Sequence, residues 1–173
     1  MLQVGRGPIL IVAQAPGTKV HATGVPFNDA SGDRLRAWLG VGRDEFYDPD
    51  LFCIIPMGFC YPGRAPKGGD LPPRPECKAL WHDRLFAAMP PPAMKLVIGQ
   101  YAHAYHLGAK RKASLTETVR AWPEFAPQIW PMVHPSPRNT HWLQRNLWFE
   151  QELIPALQRA VSAHLAAAGS RNR

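Results

Sequence analysis

Apolar residues fall into two rhythms along this chain. Four runs are almost continuously apolar: Pro8-Ile-Leu-Ile-Val-Ala13, Leu51-Phe-Cys-Ile-Ile55, Lys95-Leu-Val-Ile-Gly99 and Ile129–Val133. Short runs of this kind, rich in β-branched residues, predict strands buried on both faces. Between them the spacing changes to three and four. Leu35, Trp38 and Leu39 mark a helix over Ala30–Leu39 that Gly40 closes. Leu80, Leu85 and Phe86 mark a second over Glu76–Met89, stopped by Pro90-Pro-Pro92, and Gln100–Leu107 reads as a third. Ser114-Leu-Thr-Glu117 is a capping box for a short helix reaching Trp122, and a last helix spans Leu147–Ala168. Strands alternating with helices predict an α/β fold: a three-layer α/β/α sandwich around a central, mainly parallel four-stranded sheet. Ligands bind such sheets beyond the carboxyl ends of the strands. The loops Gln14–Asp29, Pro56–Tyr61 and His134–Asn139 fall at those ends, and Tyr61–Pro75, rich in proline and glycine, reads as an extended loop.

Composition narrows the class. The 173 residues suit one domain over 1–173, and 19 prolines are roughly twice the usual share of ~5%. No run of apolar residues reaches a membrane span, and no signal peptide opens the chain, so a cytoplasmic protein without membrane contact is expected. Three cysteines do not make a disulfide scaffold. Twenty Lys and Arg against 13 Asp and Glu leave a net charge of +7, which directs attention to polyanions, nucleic acid among them.

The loops carry the candidate chemistry. In His134-Pro-Ser-Pro-Arg-Asn139 two prolines stiffen the backbone, so a histidine at the mouth of a strand can hold a developing oxyanion, and a proline-rich surface turn is the plain alternative. Asp29 and Asp33 are adequately explained as a helix cap and a dipole partner. Cys60 and Cys77 lack metal-site spacing and are expected to be buried free thiols, with no metal bound. His103 and His106 are expected on a solvated helix face. Lys110-Arg-Lys112 is a basic cluster that would suit a phosphate backbone if it adjoins the active face.

Taken together, three motifs in register resemble the uracil-DNA glycosylase superfamily over about residues 8 to 160. They are Gln14-Ala-Pro-Gly17 after the first strand, Gly24-Val-Pro-Phe27 continuing into Asn28-Asp-Ala-Ser-Gly32, and His134-Pro-Ser-Pro137 after the last. The pattern is most similar to the bacterial classes related to the iron–sulfur glycosylases. The resemblance implies an enzyme that flips uracil out of DNA and hydrolyses its N-glycosidic bond, because a base inside the stack cannot be reached. It further implies that Phe27 stacks on the flipped base and that Gln14, Ala15 and Gly17 line the pocket floor. His134 would stabilise the departing uracil anion and Ser136 contact a flanking phosphate. Arg138 would fill the vacated stack; apart from the resemblance, the basic cluster Lys110, Arg111 and Lys112 is a candidate for the DNA backbone by its charge.

Three departures from the family pattern shape the expectations. Ala15 stands where the best-known class has a water-activating aspartate, and Asp29 matches the acid that sister classes place after the stacking Phe, so Asp29 is the candidate water-orienting carboxylate. The second strand ends in Ile55-Pro-Met-Gly58 without the base-reading asparagine of the strict uracil enzymes, which leaves Met57 at that position beside the base and implies a broader range of deaminated bases. Cys60 and Cys77 match only the middle pair of the four cluster cysteines, so no cofactor is expected. The expected protein is a monomer acting on uracil-containing DNA. The alternatives are a catalytically degenerate damaged-DNA-binding module of the same fold and a hydrolase of free nucleosides.

Overall fold

A computed structural model describes residues 1–66 and 68–171, with side chains to Gly169. Its sheet has β1 (Ile9–Val12) between β2 (Phe52–Ile54) and β3 (Met94–Ile98), with β4 (Ile129–Met132) beyond β3, in the order β2-β1-β3-β4. All three pairings are parallel: Ile9 lies opposite both Phe52 and Met94, and Leu96 opposite Trp130. β4 accepts Pro131 because it is an edge strand, where a missing N–H need not break a ladder on both sides.

Alternation along β1 builds the layers, since successive side chains point to opposite faces. Ile9 and Ile11 face one core with Leu35, Trp38 and Leu39 of α2 (Ala30–Leu39) and Phe46 of α3 (Arg43–Tyr47). Val119 of α6 (Leu115–Arg120), Leu143 of α7 (Thr140–Arg145), and Leu157 and Val161 of α8 (Ile154–Arg171) complete that face. Leu10 and Val12 face the other core, with Leu85 and Phe86 of α4 (Pro75–Ala87) and Ala102 of α5 (Gly99–His106). The sandwich expected from the strand–helix rhythm is the one observed. No helix among the described residues is long and apolar enough to cross a membrane.

Three helices escape the hydrophobic pattern: α1 (Thr18–Thr23), α3 and α7, of six, five and six residues. Each is too short to show a period. The last helix also differs from its expected start at Leu147. A π turn occupies Phe149–Leu153 and regular α-helix begins at Ile154, where Pro155 has no N–H to return to the Gln151 carbonyl.

His103 and His106 do not lie on a solvated face. His103 is 2% exposed, and its Nε2–H donates to the carbonyls of Val97 (2.9 Å) and Met132 (3.2 Å), tying β3 to β4 where their ladder runs out. His106 packs on the rings of His82, Phe86 and Tyr105, and its Nε2 has no partner among the described residues. Burial, reinforced by the charges of Lys95 and His82, pushes its pKa from 6.5 down to about 3. Burial also lowers those of His82 and His103. A histidine that stays neutral in the fold takes up a proton first in the unfolded chain. Stability from this group is therefore complete above pH 6.5 and declines as pH falls from there toward 3. The expected loss is on the order of 1 kcal/mol per pH unit from His106 alone. Urea unfolding from neutral pH downward should show a shallower pH slope for His106→Phe than for the wild type, and an unchanged slope would refute this account.

Candidate active site

Every strand points its carboxyl end at the same side of the sheet, and the loops leaving those ends enclose a cleft of about 460 Å³. Gln14, Ala15 and Gly17 come from the turn after β1, Phe27 and Asp29 from the chain entering α2, and His134, Ser136 and Arg138 from the loop after β4. The β1 and β2 loops are clamped together, since Met57 N–H donates to the Ala13 carbonyl (2.7 Å) and Gly58 N–H to that of Gln14 (3.0 Å).

Phe27 has φ 54°, the one non-glycine residue with a left-handed backbone among those described. Such strain persists only where the surroundings enforce it, and it collects at functional sites. Here the Phe27 carbonyl is held by Arg36 Nη1 at 3.4 Å, and the preceding Pro26 carbonyl by the Tyr47 hydroxyl at 2.9 Å. The Phe27 ring meets Phe46 edge-on with centroids 6.2 Å apart. Arg36 is itself buried, lies over the Phe46 and Tyr47 rings, and pairs with Asp33. Asp33 thus does more than complement the helix dipole: it partners the cation that holds the Phe27 carbonyl.

Asp29 caps α2, as expected, and also lies at the cleft. Its Oδ1 accepts from Gly32 N–H at 3.0 Å, capping α2, while the residue lines the cleft and its Oδ2 takes no hydrogen bond from any described residue.

His134 is set by its own loop. Its Nδ1 accepts from Ser136 N–H at 3.2 Å, which leaves the proton on Nε2. Asn139 Nδ2 donates to the His134 carbonyl at 2.7 Å, and Arg34 of α2 donates to the Ser136 carbonyl at 3.0 Å. Burial lowers the His134 pKa below its ordinary 6.5, and the carboxylates of Asp29 and Asp70 oppose that shift without reversing it. At neutral pH the ring is an uncharged hydrogen-bond donor.

Some expected site residues are elsewhere. Met57 is buried in the α4/α5-side core and borders a separate depression with Pro73, Lys78 and Tyr101. Lys110, Arg111 and Lys112 lie beside Ile129, the first residue of β4, whereas His134 follows the last. They therefore sit at the opposite end of the sheet from the cleft, roughly 13 Å of strand away, and Lys112 is paired with Glu124. Cys60 and Cys77 are half-buried rather than buried; Cys53 is the buried thiol. The residues that the sequence pattern does not single out are Asp70, which lines the cleft, and Arg34 and Asn139, which hold the His134 loop.

The cleft lies beyond the carboxyl ends of a parallel sheet, where α/β proteins bind their ligands, and has an aromatic ring, a neutral imidazole and two carboxylates in its wall. A family model described as the uracil DNA glycosylase superfamily matches residues 3–158, and the chain belongs to that superfamily. Membership makes it a glycosylase-type hydrolase of base excision repair, with DNA as its polymer partner. The cysteine cluster of some relatives does not fit these residues. Cys60 and Cys77 supply two thiols, and no group of three or more His, Cys, Asp or Glu among the described residues is placed to share a metal.

Proposed function

We propose that the protein excises uracil from DNA by a hydrolysis in which Phe27, Asp29 and His134 act on a flipped nucleotide. The reading rests on the convergence of these three residues in one cleft of about 460 Å³. The flipped base stacks on the Phe27 ring, whose backbone is fixed before substrate arrives. His134 Nε2–H donates to the base O2. As the C1′–N1 bond breaks, its electron pair moves into the base, and the charge accumulates on the oxygen facing that donor. A neutral donor placed in advance favours the charged transition state over the neutral ground state. The free Asp29 oxygen orients a water toward C1′ and offsets the positive charge of the oxocarbenium-like sugar. The water oxygen bonds to C1′ as its proton passes to the Asp29 carboxylate, the departed base anion takes up a proton from solvent while Asp29 returns its own, and the products are neutral free base and an abasic site. Without an amide at the end of β2, the cleft admits other deaminated bases as well. Incubation of a single-uracil oligonucleotide with the protein, followed by alkali, should cleave the strand at the uracil. Asp29→Asn should slow single-turnover release by about 100-fold or more with binding retained. Uncut strands with the wild type would reject the reading, and an unslowed Asp29→Asn would reject the role of Asp29.

A further inference from the structure

The end of β2 holds no side chain able to read a base edge: Ile55, Pro56 and Met57 are all buried, and Gly58 has none. The cleft nonetheless contains a group that can do so. Asp70 lines it from the β2 side, on a tight hairpin in which Arg64 and Asp70 form an antiparallel bridge and Leu71 N–H donates to the Gly63 carbonyl at 2.9 Å. The Tyr61 hydroxyl faces the Asp70 carboxylate, and Arg138 lies beside the adjoining Gly69.

We propose that Asp70 is the specificity-determining residue of the cleft, accepting a hydrogen bond from the ring N–H that deamination creates. The inference rests on the proposed seating of the base, with O2 on His134. In a pyrimidine the atom next to C2 on the side away from the sugar is N3, and Asp70 is near enough to His134 for its charge to be felt there. Uracil carries a proton on N3, and hypoxanthine carries one on the corresponding N1. Cytosine and adenine present a lone pair at those atoms. A carboxylate has acceptors only, so it bonds the deaminated base and repels the normal one. The other carboxylate of the cleft, Asp29, has its free oxygen assigned to the water in the proposed reaction. Gln14 carries an amide that can present either a donor or an acceptor. Asn139 is committed to the His134 carbonyl, Ser136 Oγ to Arg138 N–H, and one Asp29 oxygen to its helix cap. One carboxylate would thus give a range of deaminated bases without a separate device for each.

The test uses two oligonucleotides that bind without being cleaved, carrying 2′-fluoroarabino-uridine or 2′-fluoroarabino-cytidine at the same site. Wild-type protein should prefer the uracil strand. Asp70→Asn keeps the shape but adds an amide donor, so it should bind the cytosine strand more tightly and narrow the preference by about 10-fold or more. Asp70 is exposed on its hairpin, so the substitution does not threaten folding. A uracil/cytosine ratio unchanged in Asp70→Asn, or absent in the wild type, would overturn the proposal. The ratio needs no bond cleavage. A protein that discriminates through Asp70 yet releases no base would retain this inference and lose the glycosylase reading.

Discussion

His134→Ala should lower the single-turnover rate of base release by about 100- to 1,000-fold and leave DNA affinity within a few-fold of the wild type. The split follows from what the ring does. Its Nδ1 is occupied by Ser136 N–H, its pKa is lowered by burial, and its one remaining polar atom is an Nε2 donor. In the proposed reaction that donor meets a neutral carbonyl in the ground state and an anionic oxygen in the transition state, so its loss should fall mainly on the chemical step. The loop itself should survive the truncation, because Arg34 holds the Ser136 carbonyl and Asn139 the His134 carbonyl through backbone atoms that alanine retains. The pH profile provides a second reading. Protonation would place a second N–H against that of Ser136 and break the arrangement. Since the folded pKa lies below 6.5, the wild-type rate should hold through neutral pH and fall only on the acid side. His134→Ala should lose the part of the acid limb that this group contributes. Equal losses in rate and affinity would show instead that His134 serves general binding.

The strands and the motif loops are legible in the sequence because each reports a local requirement. Ile9–Val12 must be apolar throughout to be buried on both faces, and the loops after β1 and β4 follow directly from strands whose direction is then fixed. What stays hidden is tertiary. Arg34 meets Ser136 across 102 residues, and nothing in the spacing of α2 marks that arginine over its neighbours. Asp70 sits in a proline- and glycine-rich stretch that looks featureless, and only the fold of the hairpin brings it to the cleft. The basic triplet at 110–112 misleads for the opposite reason: its composition suits phosphate, but α5 carries the chain back to the far end of the sheet before the cluster begins. His103 shows the same limit at a smaller scale. A histidine at helical spacing reads as solvated until the open carbonyls of β3 and β4 are seen beside it.

Gly32→Ala should be the most damaging single methyl in the molecule. A Cβ at that position would lie 1.6 Å from the Phe27 carbonyl oxygen and 2.6 Å from its carbon, so the obstacle is backbone rather than a side chain that can rotate away. The Phe27 carbonyl has no easy retreat: it is held at φ 54° and accepts from the buried Arg36. Either α2 shifts, which disturbs the core contacts of Leu35 and Trp38, or Phe27 leaves its conformation and removes the proposed stacking surface. The expected cost is about 3 kcal/mol of stability, read as a lower urea midpoint. The protein that remains folded should also lose base affinity, since one aromatic–base stack is worth about 1–3 kcal/mol. Gly17→Ala is the matched control. Nothing lies within 4 Å of its Cβ position and its φ is an ordinary −78°, so the added methyl should leave the midpoint nearly unchanged. If Gly32→Ala unfolds at the same urea concentration as Gly17→Ala, the close approach of α2 to the Phe27 backbone is not what fixes the stacking residue.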